Sequence, residues 1–302
     1  MLDDVSDLVF RPALLAAGVT DDELRRSRAQ RRLVALRPGA YLPSGDPRLD
    51  DAVAHHLLAV RAASHALVAD GVVSHVSAAT LHGLTLWGVP LDRVHFTRDR
   101  RSGGRLTALR HVHTAGLDDD EITEVDGIAV TTTARTLADL ARTLPFEPAL
   151  VVADAALHRH RTTAPAFAEA VARAAGRRGS PPARRVVAAA DLRSESPGET
   201  RSRIAIARAG LPAPTLQHEV PEIRARTDFY WPEFRTVGEF DGKVKYGRGL
   251  RPGQTPGDVV YAEKRREDAL RDLGFQVVRW TWDELRLFGE VAERIRRAFA
   301  RS

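Results

Sequence analysis

The feature that most constrains this chain is a series of strand-like segments in its last third, in which acidic residues interrupt an otherwise apolar pattern. The segments cover residues 215–220, 226–232 and 236–242. Ser196 and Glu199 form a capping box, which predicts a helix before the strands. Residues 258–273 and 275–280 then have the patterns of a helix and a further strand. This order predicts an α-β-β-β-α-β core within a domain of residues 191–302.

The acidic residues of these segments are candidates for a metal site. Successive side chains of a strand point to opposite faces, so Glu239, Asp241 and Lys243 are expected to share one face. Asp228, on the preceding strand, is expected to lie opposite them. Closely packed carboxylates repel one another and offer the oxygen ligands that Mg²⁺ prefers. Such an ion would polarise a phosphodiester and activate a water, with a nearby lysine supporting the transition state.

Lysine is scarce in this chain, since only three of its 45 basic residues are lysines. Lys243 and Lys245 both follow the strand that carries Glu239 and Asp241. This concentration favours a functional role for the acidic pair over an exposed polar face. For two of these residues a structural role is the alternative to a functional one. Glu199 would then only cap a helix, and Asp228 would only cap a turn.

The order of elements resembles the PD-(D/E)XK nuclease fold and, more narrowly, the very-short-patch-repair-like endonuclease domain found in many bacterial proteins. The matching segments are Glu199, Thr227-Asp228-Phe229, Glu239-Phe240-Asp241-Gly242, Lys264 to Leu270, and Val278-Arg279-Trp280-Thr281-Trp282. The resemblance implies that Asp228 and Glu239 ligate Mg²⁺. It also implies that Asp241 occupies the usual lysine position and that Glu199 is an accessory carboxylate.

Two positions depart from the family pattern. Asp241 stands where the superfamily has lysine, and Lys245 stands where the narrower family often has histidine. Lys243 or Lys245 would supply the missing cation, and the spacing does not decide between them. The predicted catalytic set is Glu199, Asp228, Glu239, Asp241, Lys243 and Lys245, with Asp228, Glu239 and Asp241 as metal ligands. The competing interpretation is a degenerate nuclease fold that only binds nucleic acid, and RNA is a further candidate substrate.

The first 45 residues have the pattern of a DNA-binding domain. A short helix at 12–17 precedes a second helix, whose start is marked by the capping box of Thr20 and Glu23. A hairpin at 33–42 follows, so residues 8–45 predict a winged helix-turn-helix. The candidate DNA-contacting residues are Arg25, Arg26, Arg28, Arg31, Arg32 and Arg37. The alternative is a solvated basic helix, and the hairpin favours DNA binding.

Residues 50–172 are expected to form a mixed α/β middle region. Three segments, 36–41, 74–84 and 127–140, resemble the AbiEi-type antitoxins of abortive-infection systems, over roughly residues 8–160. The resemblance implies a DNA-binding, autoregulatory protein with a cognate toxin as a candidate partner, and does not by itself imply catalysis. Within this region Arg135 and Asp139 stand at i, i+4 spacing, which predicts an ion pair.

Four histidines of the middle region are spaced for contact. His75 and His82 are seven residues apart, as on one helical face, and His111 and His113 would share one face of a strand. A metal site needs a third or fourth ligand, which no recognised spacing supplies. These histidines are therefore predicted to be structural.

Composition and charge limit the classes of protein to which this chain can belong. The chain has no cysteine, which excludes disulfides and zinc-thiolate sites. It has no apolar run near the ~20 residues of a membrane helix, and its acidic N-terminus differs from a signal peptide. A net charge of +5 and a pI near 10.0 favour a phosphate-bearing partner. We therefore expect a cytoplasmic α/β (α+β) protein that binds DNA and does not engage a membrane.

Overall fold

The computed structural model describes residues 8–66, 71–100, 102–242 and 256–302. These residues form three sheets surrounded by helices, which confirms the predicted α/β class. The chain divides into two compact units, one of residues 1–152 and 161–189 and the other of residues 153–160 and 190–302. Among the described residues, no helix combines the length and the apolar character needed to cross a bilayer.

The first unit begins with two short helices and a small sheet of strand order β1-β3-β2. α2 starts at the predicted cap, because the Thr20 hydroxyl accepts from the Glu23 amide at 3.3 Å and Glu23 accepts from the Thr20 amide at 2.8 Å. Gly39 has φ +83° in the hairpin turn, a conformation that glycine adopts without strain. The elements are β1 (Val9–Phe10), α1 (Arg11–Ala16), α2 (Asp21–Ala29), β2 (Leu33–Arg37) and β3 (Ala40–Pro43).

The rest of the first unit contains a six-stranded sheet of order β6-β7-β5-β4-β9-β8. β5 and β7 are parallel neighbours, and His95 pairs with His111 in their register. The elements are α3 (Ala52–Ala66), β4 (Val72–Val73), α4 (His75–Leu81), β5 (Val94–Arg98), β6 (Arg105–Leu106), β7 (Arg110–Thr114), β8 (Ile122–Val125), β9 (Ile128–Thr131), α5 (Thr133–Thr143), α6 (Phe146–His158), α7 (Ala164–Arg173) and α8 (Ser180–Ala189). The second unit begins within α6, at residue 153.

The predicted ion pair of Arg135 and Asp139 is confirmed and lies in the core of the first unit. Arg135 Nε is 3.0 Å from Asp139 Oδ2, and its Nη1 donates to Glu121 at 2.5 Å and to the Gly116 carbonyl at 3.0 Å. The Arg135 side chain is only 2% exposed. A buried guanidinium requires compensating acceptors. Gly116 and Glu121 supply two of them from the segment before β8, so the network joins that segment to α5.

The second unit has the predicted α-β-β-β-α-β order. Its sheet runs β10-β11-β12-β13, with β12 and β13 parallel and the other pairs antiparallel. The elements are α9 (Pro197–Arg208), β10 (Thr215–Val220), β11 (Ala225–Trp231), β12 (Thr236–Asp241), α10 (Pro256–Asp272), β13 (Gln276–Thr281), α11 (Trp282–Arg286) and α12 (Phe288–Phe299). α10 thus provides the crossover that a parallel strand pair requires.

The two faces of this sheet are packed differently. On one face Trp231 and Trp280, which are 2% and 0% exposed, lie in the main core with residues of α12. On the other face Val237 packs with Leu270 of α10. Gly238 is needed between the tryptophans, since a Cβ there would lie 2.6 Å from the Trp280 ring. The alternation along β12 therefore turns its acidic residues toward the α10 side.

A buried carboxylate ties two segments of the second unit together. Asp154, with a side chain 1% exposed, accepts from the Asp191 amide and the Thr200 hydroxyl at 2.8 Å each. Arg203 Nη1 donates to its Oδ2 at 2.7 Å. Burial raises the pKa of Asp154 to about 6 despite these partners.

We expect Asp154→Ala to lower the free energy of unfolding by about 3–5 kcal/mol, because it removes a buried carboxylate with three hydrogen bonds, one of them the ion pair with Arg203. Asp120→Ala is the matched control. Asp120 pairs with Arg173 at the surface, where its side chain is 61% exposed, and its loss should cost no more than about 1 kcal/mol. Urea denaturation of both variants measures the difference, and equal effects would contradict this assignment.

Candidate functional site

Four predicted catalytic residues line one cavity of about 410 Å³ in the second unit: Glu199, Asp228, Glu239 and Asp241. The strand register explains why they meet. Phe229 pairs with Gly238 between β11 and β12, and continuing this antiparallel register by one residue places Asp228 opposite Glu239. Asp241 follows on the same face of β12, two residues beyond Glu239. The structure therefore brings the predicted carboxylates to one edge of the sheet.

Asp228 has an unusual electrostatic environment. Its Oδ2 accepts a hydrogen bond from the Phe240 amide at 2.9 Å, which holds the side chain across the end of β12. Burial, together with the neighbouring charges of Glu199 and Glu239, raises the pKa of Asp228 to about 7. At neutral pH this carboxyl is therefore divided between its protonated and ionised forms.

Glu239 is buried as well, but two arginines compensate its charge. The residue is 5% exposed, and its Oε1 accepts from Arg266 Nη2 at 2.5 Å. Its Oε2 accepts from Arg279 Nε and Nη2 at 3.1 and 2.9 Å. Arg266 comes from α10, whereas Arg279 is the register partner of Glu239 on β13. Both oxygens of this predicted ligand are thus held by guanidinium groups.

Glu199 combines the two roles that its sequence position suggests. It accepts from the Ser196 hydroxyl at 2.7 Å and from the Glu195 amide at 2.9 Å, as a residue at a helix start does. Gln217 of β10 donates to it at 2.9 Å. Burial raises the pKa of Glu199 above its ordinary value. Glu199 is therefore a helix-start residue whose carboxylate also faces the cavity.

The donors of this acidic cluster suit a hard divalent cation in kind, since all are carboxylate oxygens. The spacing of those oxygens is looser than a coordination shell. Within the described ranges, the one group of three or more histidine or acidic donors lying within 4.8 Å of one another is His75, His95 and His113. A cation that reached Glu239 would have to replace a guanidinium. Lys243 and Lys245 lie outside the described residues.

The arginines predicted to contact DNA differ in exposure. The exposed ones are Arg25, Arg26, Arg28, Arg31 and Arg32, and Arg25 also pairs with Asp22. Arg37, the sixth candidate, lies at the end of β2 and is more enclosed than the other five. It is only partly exposed, burial lowers its pKa, and its Nη1 is enclosed without a hydrogen-bond partner.

The structure places the four predicted histidines in two different environments. His82 does not join His75, because its Nε2 bonds the Thr131 carbonyl at 2.7 Å. His111 and His113 do share a face of β7, and His95 of β5 lies beside them. A third imidazole therefore lies beside this pair, from a strand that no spacing along the chain had identified. Burial lowers the pKa of His95 to about 3 and that of His113 to about 2, so both imidazoles are neutral.

No protein-family model matches the chain. The uncharacterized proteins MT2308 and Rv2248, from two strains of Mycobacterium tuberculosis, are each 33% identical to it over 182 residues. The match covers 59% of this chain and 64% of each relative, so the chain spans less than two thirds of their length. The crystal structure of the RV2827C protein from Mycobacterium tuberculosis matches with a TM-score of 0.40 and 16% identity, over 67% of this chain and 76% of that one. A likeness at that level carries no argument about function.

We expect Asp228→Asn to stabilise the protein at alkaline pH. The pKa of Asp228 is near 7 in the folded protein, above its value in the unfolded chain. As pH rises above 4, the unfolded chain therefore loses a proton that the folded protein retains. Stability contributed by this carboxyl therefore falls between pH 4 and 7. At pH 8 the variant should gain on the order of 2–4 kcal/mol, and the gain should shrink toward pH 5.

Urea unfolding at pH 5 and pH 8 measures this gain. Glu219→Gln is the control, because Glu219 is an exposed acid on β10. If Asp228→Asn is less stable than the native protein by the same amount at both pH values, the carboxylate only supports the fold.

Proposed function

We propose that this chain is a cytoplasmic DNA-binding protein whose second unit hydrolyses phosphodiester bonds with Mg²⁺. The observation that carries the proposal is the buried carboxyl of Asp228. Burial and, after it, the neighbouring acids raise the pKa of Asp228 to about 7, and its hydrogen bond comes from a backbone amide. A carboxyl whose charge is penalised in a cavity of other carboxyls is typical of a functional site.

In this proposal Asp228, Glu239 and Asp241 are the cation ligands. These residues would hold a divalent cation, which would polarise the phosphodiester and lower the pKa of a water. Arg266 and Arg279 line the same cavity and present guanidinium groups suited to phosphate oxygens. Lys243 or Lys245 remains the candidate for supporting the transition state.

The arginines also suggest how substrate prepares the site. Arg266 and Arg279 are both bound to Glu239. A phosphate group entering the cavity offers these guanidinium groups another anion, which releases the Glu239 carboxylate for the cation. We therefore propose that DNA and Mg²⁺ bind cooperatively at this site.

The double ion pair of Glu239 favours a second candidate function. A carboxylate that stays locked between two arginines leaves a fold that grips nucleic acid without cutting it. The chain would then act as an antitoxin-like transcriptional regulator, with a cognate toxin as its partner. In both candidates the first unit binds DNA through α2, where Arg25 and Arg28 lie three residues apart and exposed.

Purified full-length protein incubated with supercoiled plasmid and Mg²⁺ should produce nicked product. We expect Asp228→Asn to reduce the rate by at least about 100-fold, since it removes a negatively charged ligand. Because that variant is expected to be more stable than the native protein, lost activity would not reflect unfolding. Glu239→Gln should lower the rate to a similar extent, and Glu219→Gln should leave the rate unchanged.

The outcomes of this assay separate the two candidates. Absence of nicking with Mg²⁺ and with Mn²⁺ would favour the regulator. Nicking that persists in both Asp228→Asn and Glu239→Gln would show that the activity does not come from this cavity.

The proposed DNA contact of α2 in the first unit can be tested separately by duplex binding. Replacing Arg25 and Arg28 with alanine should weaken binding for all sequences and reduce the slope of log affinity against log salt by about 2, as two phosphate contacts are lost. Arg301→Ala is the control, because Arg301 is exposed at the end of the chain. Filter-binding titrations at several salt concentrations measure the slope, and an unchanged affinity would remove α2 from the interface.

A further inference from the structure

We propose that His75, His95 and His113 form a transition-metal site in the first unit, with zinc as the ion that fits best. The three residues come from the start of α4, from β5 and from β7. The parallel register of β5 and β7 sets His95 beside His111 and Thr97 beside His113, so alternate residues of both strands share this face. α4 then brings His75 against the same face.

The ring nitrogens are close to the spacing that a metal ion requires. His95 Nδ1 lies 3.0 Å from His113 Nε2. The His75 ring is stacked on the His113 ring with centroids 3.7 Å apart. One nitrogen from each of the three residues lies within 4.8 Å of the others. Tetrahedral zinc with Zn–N bonds near 2.0–2.1 Å separates neighbouring nitrogens by about 3.3–3.4 Å, so small side-chain shifts complete the site.

A second layer of hydrogen bonds orients His75. Its Nδ1 is 2.9 Å from Ser74 Oγ, which leaves Nε2 as the ligating nitrogen. Ser74 Oγ in turn accepts from the Thr97 hydroxyl at 2.8 Å. His75 also has φ +54°, a left-handed conformation that is strained for a residue with a Cβ. Strain of this kind persists where surrounding contacts fix a side chain in place, as at a ligand site.

The donor set identifies the class of ion. Three imidazoles without a carboxylate suit borderline ions such as Zn²⁺, whereas Mg²⁺ takes oxygen ligands. His75 and His113 line a cavity of about 610 Å³, which leaves room for a fourth ligand. Arg142, Arg177 and Arg178 line the same cavity. Asp99 and Asp139 line it as well, and the remaining excess of positive charge favours an anionic group or hydroxide at the fourth position, as in a catalytic rather than a closed structural site.

Cobalt(II) is the probe for this site, because four-coordinate Co²⁺ absorbs visible light and can be displaced by Zn²⁺. Full-length protein freed of metal with a chelator should bind one equivalent of Co²⁺ with such absorption, and Zn²⁺ should abolish the signal. His95→Gln and His113→Gln should each weaken binding by at least about 100-fold. Ser74→Ala should weaken it by about 10- to 100-fold, as loss of a hydrogen-bond partner of a ligating histidine does.

Two controls locate the signal. His55→Ala removes a partly exposed histidine of α3 outside the cluster, and Glu219→Gln removes an exposed acid of the second unit; both should retain full binding. Far-UV circular dichroism establishes that each variant is folded. The proposal is overturned if folded native protein gives no Co²⁺ absorption, if a folded His95→Gln, His113→Gln double variant retains it, or if His55→Ala reduces it equally.

Discussion

The candidate site of the second unit depends on how a buried negative charge at Glu239 is compensated. Removing a carboxylate from water costs several kcal/mol unless it is paired and fully hydrogen-bonded. Arg266 of α10 and Arg279 of β13 satisfy both of its oxygens. The same contacts attach the crossover helix to the sheet and join the two parallel strands, so this charge links the architecture to the chemistry of the cavity.

Asp228 lies next to Glu239 but in the opposite electrostatic situation. Burial and the neighbouring acids disfavour its charge, whereas the arginines favour the charge of Glu239. Two nearby carboxyl groups with divergent environments are the pattern by which a site assigns different roles to like residues. Either a proton or a bound cation would offset the excess negative charge at Asp228. The proposed dependence on magnesium follows from this competition between the proton and the cation.

Local signals were sufficient to predict much of this fold. The capping box at Thr20 and the N-cap at Ser196 begin helices where the sequence places them, and strand alternation grouped Glu239 with Asp241 in one cavity. The features that the sequence did not predict arise from contacts between segments that are distant along the chain. The pairing of Glu239 with Arg279 follows from a parallel register across a helical crossover. The histidine cluster likewise arises because β5 and β7 are neighbours, which no spacing along the chain encodes.

Burial and neighbouring acids raise the pKa of Asp228 strongly, and we propose that a bound divalent cation lowers it. Carbon-13 NMR of the labelled Asp228 carboxyl, titrated over pH 3 to 9 with and without Mg²⁺, measures this directly. We expect a pKa near 7 without the cation and a decrease of at least about one unit with it. An ordinary pKa near 4 that is unaffected by Mg²⁺ would contradict the account.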